Sequence, residues 1–209
     1  MKTSNKSIAF FAIVLVLVLL GCELSEDEVY KIGDTGPSGV GIVFYITDGG
    51  LHGLESAPAL WTGGTGDPDA EWSNMSVVIG ANAGGTAIGT GLTNSDAIIT
   101  QEGHLSSGAS LCRNYTGGLK TDWFLPSQDE LNQLYLHKDT IGGLDAGQYW
   151  SSTEGYSDVE NLSTKAKTAC FQIFSTGTKN NGGYKNAASA LSGGIPDFTG
   201  NLIRPIRAF

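Results

Sequence analysis

The hydrophobic pattern along the chain changes character once, early. Ile8 to Leu20 is an uninterrupted apolar run of thirteen residues, too short for a spanning helix of about 20 residues. After it, apolar positions come in short bursts. Gly41 to Thr47 (GIVFYIT) is β-branched and aromatic and predicts a strand, closed by the turn Asp48-Gly49-Gly50. Leu54 to Pro58 predicts a second, shorter strand. Residues 60 to 92 show neither helical nor strand period. A helix is predicted from a cap at Thr93-Asn94-Ser95, carrying Ala97, Ile98 and Ile99, and another over Ser107 to Tyr115. Pro126-Ser127-Gln128-Asp129-Glu130 is the clearest start signal: Ser127 as N-cap and Glu130 three residues on form a capping box. Leu131, Leu134, Tyr135 and Lys138 follow at helical spacing, and Gly142-Gly143 ends the run. Strands are then predicted over Gln148 to Thr153, Thr168 to Phe174 and Leu202 to Phe209. A Gly/Asn/Ser-rich loop, Ser175 to Gly194, lies before the last, and Pro205 implies an edge or bulge within it.

The first apolar run decides the compartment. Lys2 and Lys6 precede it, as in a secretory signal. It stops at Leu19-Leu20-Gly21-Cys22, which resembles the lipobox of bacterial lipoproteins. In that family the signal, here 1–21, is removed and the Cys is acylated, so Cys22 is the expected lipidation site. The expected location is the bacterial cell envelope, outside the cytoplasm, held to a membrane through lipid rather than through a protein span. Residues 22–29 then read as an acidic tether and 30–209 as one domain.

Charge sharpens the function classes. The 209 residues carry 12 basic and 21 acidic side chains, net −9. Losing Lys2 and Lys6 with the signal leaves 10 against 21, or −11. A nucleic-acid partner needs a basic face and is not expected. Charged residues are only 16% and glycines number 30, a globular, turn-rich composition rather than a coiled coil.

Candidate chemistry is sparse. Cys112 and Cys170 lie in an oxidising compartment, so a disulfide closing nearly sixty residues is one possibility and two separate buried thiols the other. His52, His104 and His137 show no ligand spacing with them, and no metal or cofactor is expected beyond a possible structural calcium. Asp67, Asp69 and Glu71 alternate without the central Gly and final Glu of a calcium-binding loop. Gly84 to Gly91 (GGTAIGTG) lacks the Lys-Ser/Thr of a phosphate loop. No nucleophile elbow or base pairing appears, so the chain does not read as an enzyme. Aromatic and acidic loops are the candidate ligand sites: Trp61, Asp67, Asp69 and Trp72 in one, and Glu154, Tyr156, Asp158 and Glu160 in the other. Aromatics suit sugar stacking and carboxylates suit hydroxyls or a cation. The alternative for both is a plain solvated loop.

Five segments occur in an order resembling one family. They are YKIGDTGPSGVGIVFY (30–45), CRNYTGGLKTDWFLPSQDELNQLY (112–135), YWSST (149–153), FQIFSTG (171–177) and IRPIRAF (203–209). Together they resemble the Lcl C-terminal domain family, the globular end of a bacterial collagen-like adhesin. They also resemble the C-type lectin-like fold of formylglycine-generating proteins. The resemblance implies an α+β, C-type lectin-like architecture: two main helices on a small antiparallel sheet, long Gly-rich loops, and the two chain ends paired side by side. It implies structural roles for the motif residues, with Trp123, Leu125 and Trp150 in the core, Ser127 and Glu130 capping a helix, and Arg204 and Arg207 paired with carboxylates or turn carbonyls. It also implies a surface-facing, adhesin-like binding module for a glycan or protein. The family's glycosaminoglycan binding is not carried over, because the chain has no Lys/Arg cluster. A structural envelope lipoprotein, or a formylglycine-generating-like enzyme, are the alternatives.

Overall fold

The computed structural model describes residues 28–155, 167–186 and 200–209. Within them the chain is α+β, with two sheets and four helices. The first sheet has the order β1 (Ile42–Thr47), β2 (His52–Ser56) and β8 (Ile206–Ala208), all antiparallel. The second has the order β3 (Asp69–Ala70), β7 (Asn201–Leu202), β4 (Gln148–Glu154), β5 (Thr168–Ile173) and β6 (Thr178–Tyr184). Of its pairs only β4 with β7 is parallel.

Strand β4 divides the interior. Successive side chains on a strand point to opposite faces, and both faces of β4 are buried. Trp150 joins Trp72, Ile98, Ala109, Cys112, Leu125, Phe171 and Ile203 on one side. Tyr149, its neighbour, joins Phe44, Leu54, Phe124, Leu131, Leu134, Phe174 and Ile206 on the other. Helices α1 (Gly91–Ile99) and α2 (Gly108–Asn114) supply Ile98, Ala109 and Cys112 to the first cluster. Helix α3 (Gln128–Leu136) supplies Leu131 and Leu134 to the second. The short α4 (Lys138–Ile141) follows after a break at His137 and ends at Gly142, whose φ of +72° favours glycine.

The capping box predicted at Ser127 is formed, and the helix predicted from Ser107 also opens with one. Ser107 Oγ accepts from Ser110 N, and Ser127 Oγ accepts from Glu130 N while Glu130 returns a bond to Ser127 N at 2.7 Å. Trp123, Leu125 and Trp150 are fully buried.

Four expectations need correction. Helix α1 begins at Gly91, with no side-chain cap at Thr90. Asn94 and Ser95, expected as caps, lie inside it and are buried, bonding Gly85 and the Leu125 carbonyl instead. The Gly/Asn-rich loop after Ser175 contains β6, because backbone pairing with β5 needs no apolar side chains. The single final strand is two, separated at Pro205, which has no N–H to donate. The two chain ends share a sheet without being neighbours, since β2 lies between β1 and β8.

The disulfide is not made. Cys112 and Cys170 are buried as separate thiols. The cluster around Cys112 takes Ala169 and Phe171 from β5, the residues flanking Cys170. Strand alternation turns Cys170 from that face, and its thiol donates to the Glu154 carbonyl at 3.6 Å. Burial pushes the Cys112 thiol well above its ordinary value. Among the described residues no helix is long and apolar enough to cross a membrane.

Candidate functional site

A polar depression lies where the start of α3 meets β6. Its volume is about 510 Å³ and it is lined by Thr86, Gln128, Asp129, Lys179, Asn180 and Asn181. Two elements fix it. The capping box holds the first turn of α3, and Asp129 N donates to the Thr86 carbonyl at 2.9 Å, tying that turn to the preceding loop. Register with β5 holds the other wall, with Lys179 opposite Gln172 and Asn180 opposite Phe171. Lys179 Nζ reaches Asp129 Oδ1 at 3.1 Å across the groove. Both partners are partly exposed, so this pair adds little to stability.

Behind the ion pair sits a buried amide. Gln172 is fully buried, and its Nε2 donates to Asn132 Oδ1 and to the Gly177 carbonyl, each at 3.0 Å. Its Oε1 has no hydrogen-bond partner among the described residues. Residues directly opposite in an antiparallel pair share a face, so Gln172 lies on the face that presents Lys179. A buried acceptor without a donor carries a desolvation penalty of roughly 1–3 kcal/mol, and Gln172 lies beneath the groove without lining it. One carboxylate, one ammonium, a hydroxyl and amides from two elements therefore converge on one groove. They offer donors and acceptors in close alternation, with no nucleophile–base pair among them.

The sequence-predicted ligand loops are placed elsewhere and largely inside. Asp67 is buried and accepts three bonds: from Trp61 Nε1 at 3.0 Å, Tyr149 Oη at 2.7 Å and Arg204 Nε at 2.7 Å. Burial raises its carboxyl above the ordinary value, and Arg204, Tyr149 and Trp61 offset this only in part. The Tyr149 phenol is raised in turn by burial and by Asp67. Trp72 is fully buried, donating to the Ser151 carbonyl at 2.7 Å with Lys185 Nζ 4.7 Å from its ring centroid. Glu154 is buried too, accepting from Ile79 N and Gly80 N at 2.8 Å each and from Lys185 Nζ at 2.6 Å.

Asp67, Trp72 and Glu154 are thus framework residues and not ligand-loop residues, a correction with one cause. Local sequence marks them as polar or aromatic loop positions, whereas their partners lie up to 137 residues away. Trp61 stays half-buried, its ring edge-on to Tyr115 at 5.3 Å. Asp69 is exposed on β3, away from the α3–β6 groove. Cys22, Tyr156, Asp158 and Glu160 lie outside the described residues.

The two arginines sit as expected. Arg204 bonds Asp67 and the carbonyls of Ala57 and Gly143. Arg207 reaches Glu55 at 2.8 Å and Asp122 at 2.6 Å. Among the described residues no three His, Cys, Asp or Glu side chains converge as metal ligands would. The α3–β6 groove was not visible in the sequence, because Asp129 and Lys179 are 50 residues apart and only the β5–β6 register joins them.

No protein-family model matches the chain. No curated protein matches it either.

Proposed function

We propose that residues 30–209 form a non-catalytic, C-type lectin-like binding module, held to the bacterial cell envelope by lipid on Cys22, whose ligand is a glycan seated in the α3–β6 groove. The observation that carries this is a polar groove of about 510 Å³ on which a carboxylate, an ammonium and amides from α3 and β6 converge. Binding sites for small molecules are concave, with a few convergent polar groups, and amides with a carboxylate match the alternating donors and acceptors of sugar hydroxyls. The resemblance of the five segments to the Lcl C-terminal domain family supports a surface-facing binder, and Leu19-Leu20-Gly21-Cys22 supports the anchor. The lone Lys179 beside Asp129 suits a neutral glycan better than a sulfated one, which calls for several cations.

A specific observation favours a second reading, a structural envelope lipoprotein. The carboxylates with most reach toward a ligand in the sequence, Asp67 and Glu154, are both held in buried ion pairs. Catalysis of the formylglycine-generating kind has less support, since Cys112 is fully buried and its thiol is held in the protonated form.

A glycan array probed with the mature chain carrying Cys22→Ser, with calcium and with chelator, tests the proposal. The expected outcome is saturable binding to a neutral glycan in both conditions, weakened at least tenfold by Lys179→Ala and by Asn180→Ala. No saturable glycan in either condition leaves the structural reading standing and overturns the binding one.

A further inference from the structure

A second cavity has the opposite chemistry. It measures about 250 Å³ and is lined mainly by Tyr45, Leu54, Ile88, Leu92, Phe124 and Phe209. It opens between β1, β2 and β8 on one side and the start of α1 on the other. Its mouth is apolar as well, since Leu92 is 38% exposed.

This cavity lies at the end of the domain where the N-terminal segment arrives. Tyr30 N donates to the Gly50 carbonyl at 2.9 Å, and the Tyr30 ring meets the Phe209 ring at 5.2 Å. Phe209 is part of the cavity wall. Val29, 55% exposed, lies against Gly50, and Leu51, 39% exposed, is the next residue. His52 and Gly53 follow directly into the cavity lining. Val29 and Leu51 therefore lie at the same end of the domain as Leu92 and the cavity. The exposed charges beside it are few and slightly acidic, with Glu28 and Asp48 against Lys31.

The length of chain outside the described residues says what covers this end. Cys22 is six residues before Glu28, and six residues span at most about 20 Å. A domain acylated at Cys22 keeps this end within that distance of the leaflet holding its anchor. Apolar area removed from water is worth roughly 25 cal/mol per Å², and tethering raises the effective concentration of the surface it meets.

The geometry points to a lipid leaflet as the occupant: the apolar end around Val29, Leu51 and Leu92 rests on the membrane that holds the anchor, with an acyl tail of a bilayer lipid entering the cavity. This rests on the lipoprotein reading above. A rim without a basic excess suits a neutral headgroup surface, where the attraction of basic residues to anionic lipid plays no part. Seated this way, the domain has a fixed orientation at the membrane instead of swinging on its tether.

The test uses the acylated full-length product in phosphatidylcholine vesicles. Leu51→Cys, Leu92→Cys and Leu105→Cys are each labelled with a polarity-sensitive fluorophore. Cys112 and Cys170 are fully buried and take no label in the folded protein. Leu105 is 86% exposed in the turn before α2, apart from the cavity. Brominated-chain phosphatidylcholine is expected to quench the labels at 51 and 92 at least threefold more strongly than the label at 105. Equal quenching at all three positions, on a protein whose intact mass shows acyl chains on Cys22, overturns this inference alone. An intact mass without acyl chains overturns the lipoprotein reading and the inference with it.

Discussion

Asp67 ties together three separate parts of the buried polar framework. It receives Arg204 from the segment between β7 and β8, Tyr149 from β4 and Trp61 from its own loop. Arg204 is itself fully buried and extends the junction to the carbonyls of Ala57 and Gly143. A buried ion pair gains little over a well-packed apolar substitute, because both charges lose their water. Removing one partner is different, as it strands the other charge. Asp67→Ala is therefore expected to destabilise the domain by about 3–5 kcal/mol, read from the urea midpoint of the purified chain. A loss below about 1 kcal/mol would mean that Arg204 finds another partner. Nothing local announces this role. In the sequence Asp67 alternates with Asp69 and Glu71 as a solvated acidic loop does, and only the fold separates buried Asp67 from exposed Asp69.

Helix α3 shows how one element couples the core to the candidate groove. Leu131 and Leu134 anchor it in the second cluster, while its first turn supplies Gln128 and Asp129 to the groove. Ser127 sets where that turn begins. Its Oγ accepts from Glu130 N and donates to the Ala87 carbonyl at 2.9 Å, and Glu130 Oε1 accepts from Gly89 N at 2.7 Å. Ser127→Ala is expected to cost about 1–2 kcal/mol and to weaken glycan binding further than the stability loss alone, because Asp129 moves with the turn. Calorimetric unfolding beside a glycan titration checks both parts; unchanged affinity would separate the cap from the groove. The start of this element was legible because every signal it needs, from Pro126 to Leu134, lies within one short stretch, whereas its end at Leu136, short of the predicted Gly142, was not. Strand β6 was not legible. Thr178–Tyr184 (TKNNGGY) has neither alternation nor apolar content, and its partner β5 alone makes it a strand. The same reason hid the groove, one wall of which is β6. Pro205 was readable only as an edge or bulge, and in the structure the strand breaks there in two.

At the scale of the whole molecule, charge and burial act in the same direction with pH. Residues 22–209 carry a net −11, and self-repulsion of that size opposes the compact state. Asp67 and Glu130 both have carboxyls raised above their ordinary values, in each case because burial outweighs the donors around them. A group whose folded value is raised binds its proton more tightly in the folded state. Its contribution to stability is complete below the unfolded value, 3.8 for the aspartate and 4.5 for the glutamate, and is lost as pH rises through the folded value. Moving down from neutrality thus recovers stability at these two sites while acidic side chains elsewhere begin to lose their mutual repulsion. The unfolding temperature of the mature Cys22→Ser chain is expected to rise between pH 7.5 and pH 5. The rise should be smaller in Glu130→Gln, which keeps the shape of the side chain and removes its titration. A melting temperature that falls steadily over this range would mean that carboxylates stabilised in their ionised form dominate.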